Sequence, residues 1–357
     1  MVSPQRRRVP RKRISLKKFI YYVLMKILVL GGTSFFGKET ANLLSRGGNE
    51  VEVFSRRCPA GGLALDIRQH RGDRTVEMDL VRMSTRTWDV IIDNLCYNAE
   101  DARKAVKVFS GRTGLYIFTS SSSVYSVLEG SSSPFRENQT EILKPKEGLE
   151  DKPYYACADG KYKAERIFLE AFAATSFPAV IIRPPVVIGP GDPSLRAYAY
   201  WLRLADGGPL FLPGSSVCAR YAFSKDMARA FELLLYAKDI RGQAFNFGDS
   251  DVISLDDFVK LSARIMHKEP EIIYPERAWL KENGFNFEAS PFSGASDFIT
   301  DISKAGKAFD WRSTPLHLWL EETINWFFFK YTGPMPKNYA QRKSELELAE
   351  AWKQQVR

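Results

Sequence analysis

Short apolar segments alternate with segments of helical periodicity through the first half of the chain. The apolar segments have the length of buried β-strands and lie at 26–30, 51–54, 89–93, 115–119 and 179–183. Apolar residues at helical spacing predict helices at 37–46, 100–109 and 160–174. This alternation is typical of an α/β fold, in which right-handed crossovers build a parallel, doubly wound sheet.

The pattern changes after Pro184, where glycine and proline interrupt the chain at 189–193 and again at 207–214. We expect a smaller C-terminal α/β lobe from this point. Ser254, followed by an acidic residue three positions later, predicts the start of a helix in this lobe. The polar segment 131–152 has no periodic apolar face, so we expect it to run over the surface near the functional site.

The first predicted strand runs directly into a glycine-rich turn and an amphipathic helix. The turn has the sequence Gly31-Gly32-Thr33-Ser34-Phe35-Phe36-Gly37. Gly31 and Gly32 can adopt backbone angles closed to other residues and carry no β-carbon, so a pyrophosphate can approach the free N–H groups of the helix N-terminus. The turn therefore predicts a dinucleotide site. An ordinary strand-turn-helix corner is the alternative, because Ser34 replaces the middle glycine of the usual pattern.

Further motifs follow this turn in a fixed order. They are Gly72-Asp73-Arg74, Trp88-Asp-Val-Ile-Ile-Asp93-Asn-Leu-Cys-Tyr97, Ser120-Ser-Ser-Ser-Val-Tyr125, Arg183-Pro-Pro-Val-Val-Ile-Gly-Pro-Gly-Asp192 and Ala244-Phe-Asn-Phe-Gly248. With the turn, the series resembles the atypical branch of the extended short-chain dehydrogenase/reductases, the NAD-dependent epimerase/dehydratase family, over about residues 25–330. The resemblance implies a Rossmann-like sheet, a nicotinamide coenzyme and transient oxidation of a hydroxylated substrate. It leaves epimerase, dehydratase and reductase activities open.

The resemblance and the change of pattern divide the chain into four expected regions. Residues 1–24 are a basic N-terminal extension, and 25–183 are an NAD(P)-binding Rossmann domain that about 243–248 rejoins. Residues 184–332 are the substrate-binding lobe. Residues 333–357 are a charged tail, predicted to be a helix that either docks on the body of the protein or contributes to a homodimer.

The residues after the second strand bear on the choice between NAD and NADP. An acidic residue there would hydrogen-bond the ribose of NAD, whereas this chain has Ser55-Arg56-Arg57. Because arginine presents a planar, charged fork to a phosphate, we expect NADP to be slightly preferred to NAD. The alternative is that both arginines are only solvated loop charges.

The resemblance also implies contacts along the rest of the coenzyme. The expected residues are Asp73 at the adenine with Arg74 next to it, Leu95, Cys96 and Tyr97 beside the pyrophosphate and ribose, and Lys161, Pro184 and Val186 near the nicotinamide. For Asp73 and for Leu95, Cys96 and Tyr97 the alternative is ordinary packing at the end of a strand.

The chemical step of this family uses a tyrosine and a lysine four residues apart on one helix, with a serine across from them. Ser121 matches the serine, and Lys161, preceded by Gly160, matches the lysine. Cys157 stands where the tyrosine is expected. In the family pattern the lysine lowers the pKa of the phenol, which exchanges a proton with a substrate hydroxyl while a hydride moves.

Three interpretations of this substitution are open. Either Tyr155 or Tyr154 reaches in from an irregular helix start, or Cys157 replaces the acid, or the redox step has been lost. In a regular helix, Tyr155 points off the face of Lys161, and Tyr154 lies about 10 Å away along the axis. If the step has been lost, the alternative function is a catalytically impaired coenzyme binder with an RNA-binding or regulatory role.

Two residues are expected to contact a small-molecule substrate. Arg220 lies where relatives contact the substrate, and an arginine there suits the phosphate of a nucleotide sugar. A surface salt bridge is the alternative for this residue. Tyr125, at the end of the serine motif, is the second expected substrate contact.

The charge of the chain is concentrated at its N-terminus. The formal net charge is +9, but eight basic and no acidic residues precede Met25, so the rest of the chain is nearly neutral. Charge therefore gives no reason to expect nucleic acid except through residues 1–24. This segment admits a signal peptide, a basic arm or a plain extension, and we favour the extension because no small-residue cleavage site precedes the first strand. Met25 is an alternative start.

Other residue types argue against several classes of protein. The four cysteines have no Cys-x-x-Cys spacing, which favours reduced thiols in a cytoplasmic protein. The three histidines lie outside every motif, so we expect neither a metal site nor a Ser-His hydrolase. No later segment approaches the ~18 uninterrupted apolar residues of a membrane helix, and we expect no membrane association.

Overall fold

The computed structural model describes residues 24–59, 61–149, 152–212, 217–285 and 296–356, so the expected basic extension lies outside the described residues except for Leu24. The strands are β1 (Lys26–Leu30), β2 (Glu50–Ser55), β3 (Arg68–Arg71), β4 (Trp88–Asp93), β5 (Thr113–Thr119), β6 (Ala179–Arg183), β7 (Val186–Ile188), β8 (Leu210–Phe211), β9 (Cys218–Ala219), β10 (Tyr221–Phe223), β11 (Ala244–Asn246), β12 (Ile253–Ser254) and β13 (Ile272–Ile273). The helices are α1 (Phe35–Arg46), α2 (Glu77–Met83), α3 (Ala99–Phe109), α4 (Gln139–Ile142), α5 (Pro153–Thr175), α6 (Arg196–Asp206), α7 (Ser224–Leu235), α8 (Leu255–Ile265), α9 (Arg277–Glu282), α10 (Ser303–Phe309), α11 (Leu316–Phe329) and α12 (Arg342–Val356).

Seven parallel strands form the central sheet, in the order β3-β2-β1-β4-β5-β6-β11. This order confirms the predicted doubly wound α/β fold, and all five predicted strands and three predicted helices are present. The sequence pattern missed β3, because its residues Arg68-Gln-His-Arg71 are polar and the strand lies at the edge of the sheet.

The two faces of the sheet bury different helices. Along β1, Ile27 and Val29 point toward α1 and α7, whereas Leu28 and Leu30 point toward α3 and α5. Because both faces are covered, the central strands carry the continuous apolar runs seen in the sequence.

A second apolar core lies in the C-terminal half, where α6, α8 and α11 pack around Trp201 and Trp319. The start of α8 is as predicted, since the Ser254 hydroxyl accepts a hydrogen bond from the Asp257 N–H at 3.1 Å. The tail helix α12 contacts the same region through an ion pair of 2.7 Å between Arg203 and Glu345. No helix in the described ranges is both long enough and apolar enough to cross a bilayer.

The polar segment 131–152, which we expect from its sequence to run over the surface, has two buried apolar residues. Phe135 is buried and stacks on Tyr125, with ring centroids 5.0 Å apart. Leu149 is buried in the same cluster. The hydrophobic pattern does not indicate this burial, because the apolar residues of the segment are too sparse to form a periodic face.

Candidate functional site

Doubly wound sheets bind ligands in the crevice where the strand order reverses, and in this sheet the order reverses between the carboxyl ends of β1 and β4. The glycine turn after β1 meets the loop after β4 at this place. Gly31 has φ of 84°, and a β-carbon on it would lie 2.9 Å from Leu95 Cγ. Gly32 is equally confined, because a β-carbon there would lie 2.6 Å from Val53 Cγ1. The turn can pass between its neighbours only with glycine at both positions.

Gly37 brings the first turn of α1 onto the glycine turn. A β-carbon at this position would overlap the carbonyl oxygen of Gly31 and lie 3.2 Å from Asn94 Nδ2. That amide nitrogen is buried and has no hydrogen-bond partner within the described chain. An unsatisfied donor beside the helix N-terminus fits a ligand that carries acceptor oxygens.

The N-terminus of α1 has no side-chain cap. Ser34 occupies the capping position in an extended conformation, but its hydroxyl makes no capping hydrogen bond. The Thr33 hydroxyl donates a hydrogen bond to Ser55 Oγ at 3.1 Å, which connects the turn to the end of β2. The positive end of the α1 dipole and its first N–H groups are therefore left for an anion.

The two phenylalanines of the turn have different environments. Phe35 has φ of 46°, in the left-handed region, and its ring meets that of Phe36 edge to face at 5.4 Å. Phe36 stacks on Phe231 of α7, with centroids 6.4 Å apart. Phe36 thus anchors α1 on the core, and its side chain is partly buried there.

Arg56 and Asp73 follow β2 and β3 at the same edge of the sheet. Arg56 is exposed, and no ion pair joins it to another described residue. The Asp73 carboxylate accepts hydrogen bonds from the Thr75 N–H and hydroxyl at 2.9 and 2.7 Å. These bonds lower the pKa of Asp73, and the charge of Arg56 acts in the same direction. The Asp73 carboxylate therefore keeps its charge at neutral pH.

Arg74 and Cys96 lie inside the protein. Arg74 is 2% exposed and pairs with Asp93, with Nη2 2.7 Å from Oδ2. Burial alone would raise the pKa of Asp93, but the charge of Arg74 lowers it. Cys96 is fully buried, which raises the pKa of its thiol. Both side chains therefore support the loop after β4 from the protein interior, and the coenzyme contacts expected at these positions stay predictions.

Lys161 points from α5 to the end of β5. Its ammonium donates a 2.7 Å hydrogen bond to the Thr119 carbonyl and lies 4.6 Å from the centroid of the Tyr97 ring. Burial lowers the pKa of Lys161, while nearby acidic groups oppose the shift. A β-carbon at Gly160 would overlap the Tyr97 carbonyl oxygen, so this glycine allows α5 to reach the loop after β4. The sequence showed Gly160 only as a neighbour of the lysine.

Ser121 lies at the carboxyl end of β5 and begins a short 3-10 turn at Ser122–Val127. Its hydroxyl accepts a hydrogen bond from the Ser123 N–H at 3.1 Å. The Pro184 carbonyl accepts the Ser122 N–H at 2.8 Å and links the ends of β5 and β6. Val186 follows in β7 and is partly buried against the second core.

The residues before Lys161 lie on a regular helix that begins at Pro153. This does not support the interpretation in which Tyr155 or Tyr154 reaches in from an irregular helix start. Cys157 is exposed one turn before Lys161. Tyr155 packs in the cluster around Tyr125, and its ring centroid lies 5.9 Å from Lys146 Nζ. The side chain of Tyr154 lies outside the described residues.

Tyr125 belongs to a buried polar network. Its hydroxyl donates to Asn246 Oδ1 at 2.8 Å and accepts from Arg183 at 3.0 Å. Arg183 also pairs with Glu165, with Nη2 2.7 Å from Oε2. Burial raises the pKa of Tyr125 to about 12. Its fully buried position does not agree with the expected contact with a substrate.

The guanidinium of Arg220 is engaged by backbone carbonyls. It donates to Thr300 and Ser250 at 2.8 and 3.1 Å, and also to the carbonyl of Asp249. Burial lowers its pKa, and neighbouring aspartates oppose the shift. In this arrangement Arg220 links two loops, and its contact with a substrate stays a prediction. Among the described residues no group of three or more His, Cys, Asp or Glu side chains is placed to hold a metal ion.

Comparisons with known proteins give one family and one distant relative. The sequence profile of the NAD dependent epimerase/dehydratase family matches residues 27–248. The chain is 25% identical over 309 residues to the chloroplast stem-loop binding protein of 41 kDa b from Arabidopsis thaliana, covering 80% of this chain and 75% of that protein.

Solved structures with this fold include two epimerases. An epimerase from Methanothermobacter thermautotrophicus superposes with a TM-score of 0.69 at 17% identity, covering 86% of this chain and 93% of that one. The UDP-glucuronic acid 4-epimerase from Bacillus cereus, solved in complex with NAD, gives 0.68 at 19% identity, covering 86% and 100%. Similarity at this level establishes the shared Rossmann-like fold.

Proposed function

This chain belongs to the NAD-dependent epimerase/dehydratase family, and from that premise we propose that it binds a nicotinamide dinucleotide and acts as an oxidoreductase on a hydroxylated substrate such as a nucleotide sugar. The observation that carries the proposal is the cradle at Gly31, Gly32 and Gly37, where a β-carbon at any of the three positions would meet neighbouring atoms. Glycines that bring the backbone this close to its neighbours at a helix N-terminus leave room for a pyrophosphate next to the N–H groups.

The residues of the crevice would hold the coenzyme along its length. The glycine turn and the N–H groups of α1 would bind the pyrophosphate, with Arg56 and Asp73 at the adenosine end. Lys161 would lie at the ribose of the nicotinamide. When bound, the nicotinamide ring supplies the hydride acceptor or donor.

The chain's own groups would position the substrate and its proton. The Ser121 hydroxyl at the end of β5 can hydrogen-bond a substrate hydroxyl. The buried ammonium of Lys161 favours negative charge that develops on an oxygen nearby. Cys157 stands where the family has its phenol, so a redox reaction without the thiol as acid requires another group to exchange the proton.

Binding of both NAD and NADP, with NADP slightly preferred, forms part of the proposal. The name of the family and the complex of the Bacillus cereus epimerase refer to NAD. Arg56, exposed and without an ion pair in the described part of the chain, offers a guanidinium to the 2′-phosphate of NADP.

The proposal is tested with the full chain in two steps. Quenching of intrinsic fluorescence by NAD⁺ and NADP⁺ measures coenzyme binding. Incubation with UDP-glucose or UDP-glucuronic acid, followed by product analysis, then separates an epimer, a dehydrated sugar and a reduced sugar. Saturable coenzyme binding with conversion of a sugar supports the proposal, whereas failure to bind any nicotinamide coenzyme overturns it.

A second candidate function is RNA binding by a catalytically impaired coenzyme binder. Two observations favour it: Cys157 replaces the family's tyrosine, and one relative is a stem-loop binding protein. Retention of an RNA stem-loop that falls steeply between 50 and 200 mM salt would support this function. If the retention disappears when residues 1–24 are removed, the basic segment carries it. Absence of retention at low salt would exclude this function.

A further inference from the structure

The geometry points to Tyr97 as a further catalytic residue, one that exchanges a proton with the substrate hydroxyl in place of the phenol missing at position 157. This inference rests on the proposed function, because it assigns a residue to the same reaction. It places the acid on the loop after β4 instead of on the lysine's own helix, α5.

Among the described side chains, three are candidates for this role. The Cys157 thiol lies one turn before Lys161, but it is shorter than a phenol by several ångströms. Tyr155 turns away, with its ring beside Lys146 in the apolar cluster. Tyr97 is the described tyrosine whose ring contacts the Lys161 ammonium, at 4.6 Å from the ring centroid.

Besides the Tyr97 ring, the Lys161 ammonium has a second aromatic ring and a backbone carbonyl as neighbours. The ammonium is nearly buried, with the Phe118 ring 5.1 Å away and the Thr119 carbonyl as its hydrogen-bond acceptor. Tyr97, in contrast, is 52% exposed. A tyrosine whose ring contacts the buried cation and whose side chain is half-exposed can take part in proton transfer with a bound substrate.

The backbone of Tyr97 is fixed on both sides. Its N–H donates a 3.1 Å hydrogen bond to Asp101 Oδ2. Its carbonyl lies so close to Gly160 that any side chain there would overlap it. The phenol and the lysine are thus held together by a direct contact between the loop and α5, without a shared helix.

The protonation state of Tyr97 sets the direction of its chemistry. Burial raises the pKa of its phenol, as do the nearby groups of Cys157 and Asp93, while Arg56 lowers it. The phenol therefore holds its proton at neutral pH and acts as the donor in the reductive direction. With a reduced nicotinamide bound as the hydride donor to a substrate carbonyl carbon, Tyr97 Oη would give its proton to the carbonyl oxygen, and water would return a proton to the phenolate. In the oxidative direction the same bonds are broken and formed in reverse.

The electrostatic part of the inference can be tested without turnover. The full chain is labelled with ¹³Cζ-tyrosine, and the Tyr97 resonance is identified as the one missing from Tyr97→Phe. Its titration is followed by NMR in wild type and in Lys161→Met, with Lys161→Gln as a second variant should the first fail to fold. If the ammonium acts on the phenol, its loss raises the titration midpoint by about one pH unit. An unchanged midpoint overturns the inference.

The chemical part is tested with Tyr97→Phe, which keeps the ring on the lysine and removes only the hydroxyl. We expect a loss of roughly 100-fold or more in turnover of UDP-glucose or UDP-glucuronic acid, with the Kd for NAD⁺ within about twofold of wild type. Tyr236→Phe, at an exposed site on another face, is the matched control and keeps full turnover.

The outcomes separate this inference from the proposed function. Normal turnover by Tyr97→Phe overturns the role of Tyr97 and leaves the proposed function intact. A loss of turnover in Tyr155→Phe, with normal turnover in Tyr97→Phe, has the same consequence. Failure of wild type to bind any coenzyme overturns the proposed function itself. If neither sugar is converted, the NMR titration alone decides whether Lys161 acts on this phenol.

Discussion

Gly37 lies against the carbonyl oxygen of Gly31, so closely that a β-carbon at position 37 would overlap this oxygen. The contact seats the first turn of α1 directly on the glycine turn. Asn94, at the end of the neighbouring strand, borders the same point. One backbone contact therefore fixes the shape of the crevice at the place where the strand order reverses.

Replacing Gly37 by alanine should open this contact. We expect the Kd for NAD⁺ to rise at least about tenfold and the free energy of unfolding to fall by about 1–3 kcal/mol, because the new methyl group must displace backbone. Coenzyme titration and urea denaturation measure the two effects. Gly306→Ala is the matched control, since the space around that helical glycine is open, and it should gain about 0.5–1 kcal/mol of stability without affecting the coenzyme. Wild-type affinity in Gly37→Ala would contradict the role of the turn.

The choice of coenzyme should depend on Arg56. In Arg56→Ala we expect the Kd for NADP⁺ to rise about tenfold, because a charge-assisted hydrogen bond to the 2′-phosphate is lost, while the Kd for NAD⁺ stays within about twofold. Arg57→Ala, at the next exposed arginine, is the control. If Arg56→Ala raises the Kd for both coenzymes equally, or if only Arg57→Ala raises the Kd for NADP⁺, Arg56 does not bind the 2′-phosphate.

The buried ion pair between Arg183 and Glu165 should matter more than any exposed pair. Both side chains are 1% exposed, and Glu165 accepts from Arg183 Nε and Nη2 at 2.9 and 2.7 Å. Glu165→Gln leaves the guanidinium buried without its counter-charge, so urea denaturation should show a loss of about 3–5 kcal/mol. Glu322→Gln, which breaks the exposed pair with Lys225, should cost less than about 1 kcal/mol. Similar losses in the two variants would refute this ranking.

Asp249 should make the stability of the protein depend on pH. Its carboxylate accepts from Trp319 Nε1 at 3.1 Å, but Oδ1 has no partner in the described chain. Burial, with the charge of Asp226 acting in the same direction, raises the pKa of Asp249 to about 8. The unfolded value is about 3.9, so the folded state binds more protons between these two values, and stability falls as pH rises through this window.

The variant Asp249→Asn cannot ionise and should therefore remove this slope. Between about pH 4 and pH 8 the wild type should lose up to roughly 1.4 kcal/mol per pH unit relative to the variant. Urea denaturation across this range measures the difference. Asp239→Asn, at an exposed aspartate, should follow the wild type. Parallel curves for Asp249→Asn and wild type would mean that Asp249 is ionised throughout.

The sequence predicts the centre of this fold better than its edge. Strands buried on both faces are continuous apolar runs, and the turn at Gly31–Gly37 is marked locally by its glycines, so both were found. The edge strand β3 depends on backbone pairing with β2, which polar side chains such as Arg68 and His70 do not reveal.

The candidate site shows the same limit, because a motif gives a residue's position along the chain but not the direction of its side chain. Arg74 and Asp93 are 19 positions apart and form an interior ion pair. Tyr125 and Asn246 are 121 apart and hydrogen-bonded in the interior. Nothing in the local sequence distinguishes such buried polar pairs from residues that face a ligand. The contact of Tyr97 with Lys161 likewise depends on the packing of α5 against the loop after β4.

The central claim is that the turn at Gly31, Gly32 and Gly37 binds the pyrophosphate of a nicotinamide coenzyme. Isothermal titration calorimetry of the full chain with NAD⁺, NADH, NADP⁺ and NADPH tests it most directly. The account predicts saturable heat with one site per chain for at least one coenzyme, and loss of that heat in Gly37→Ala. The absence of heat with all four coenzymes at millimolar concentration, from a protein that unfolds cooperatively in urea, would contradict it.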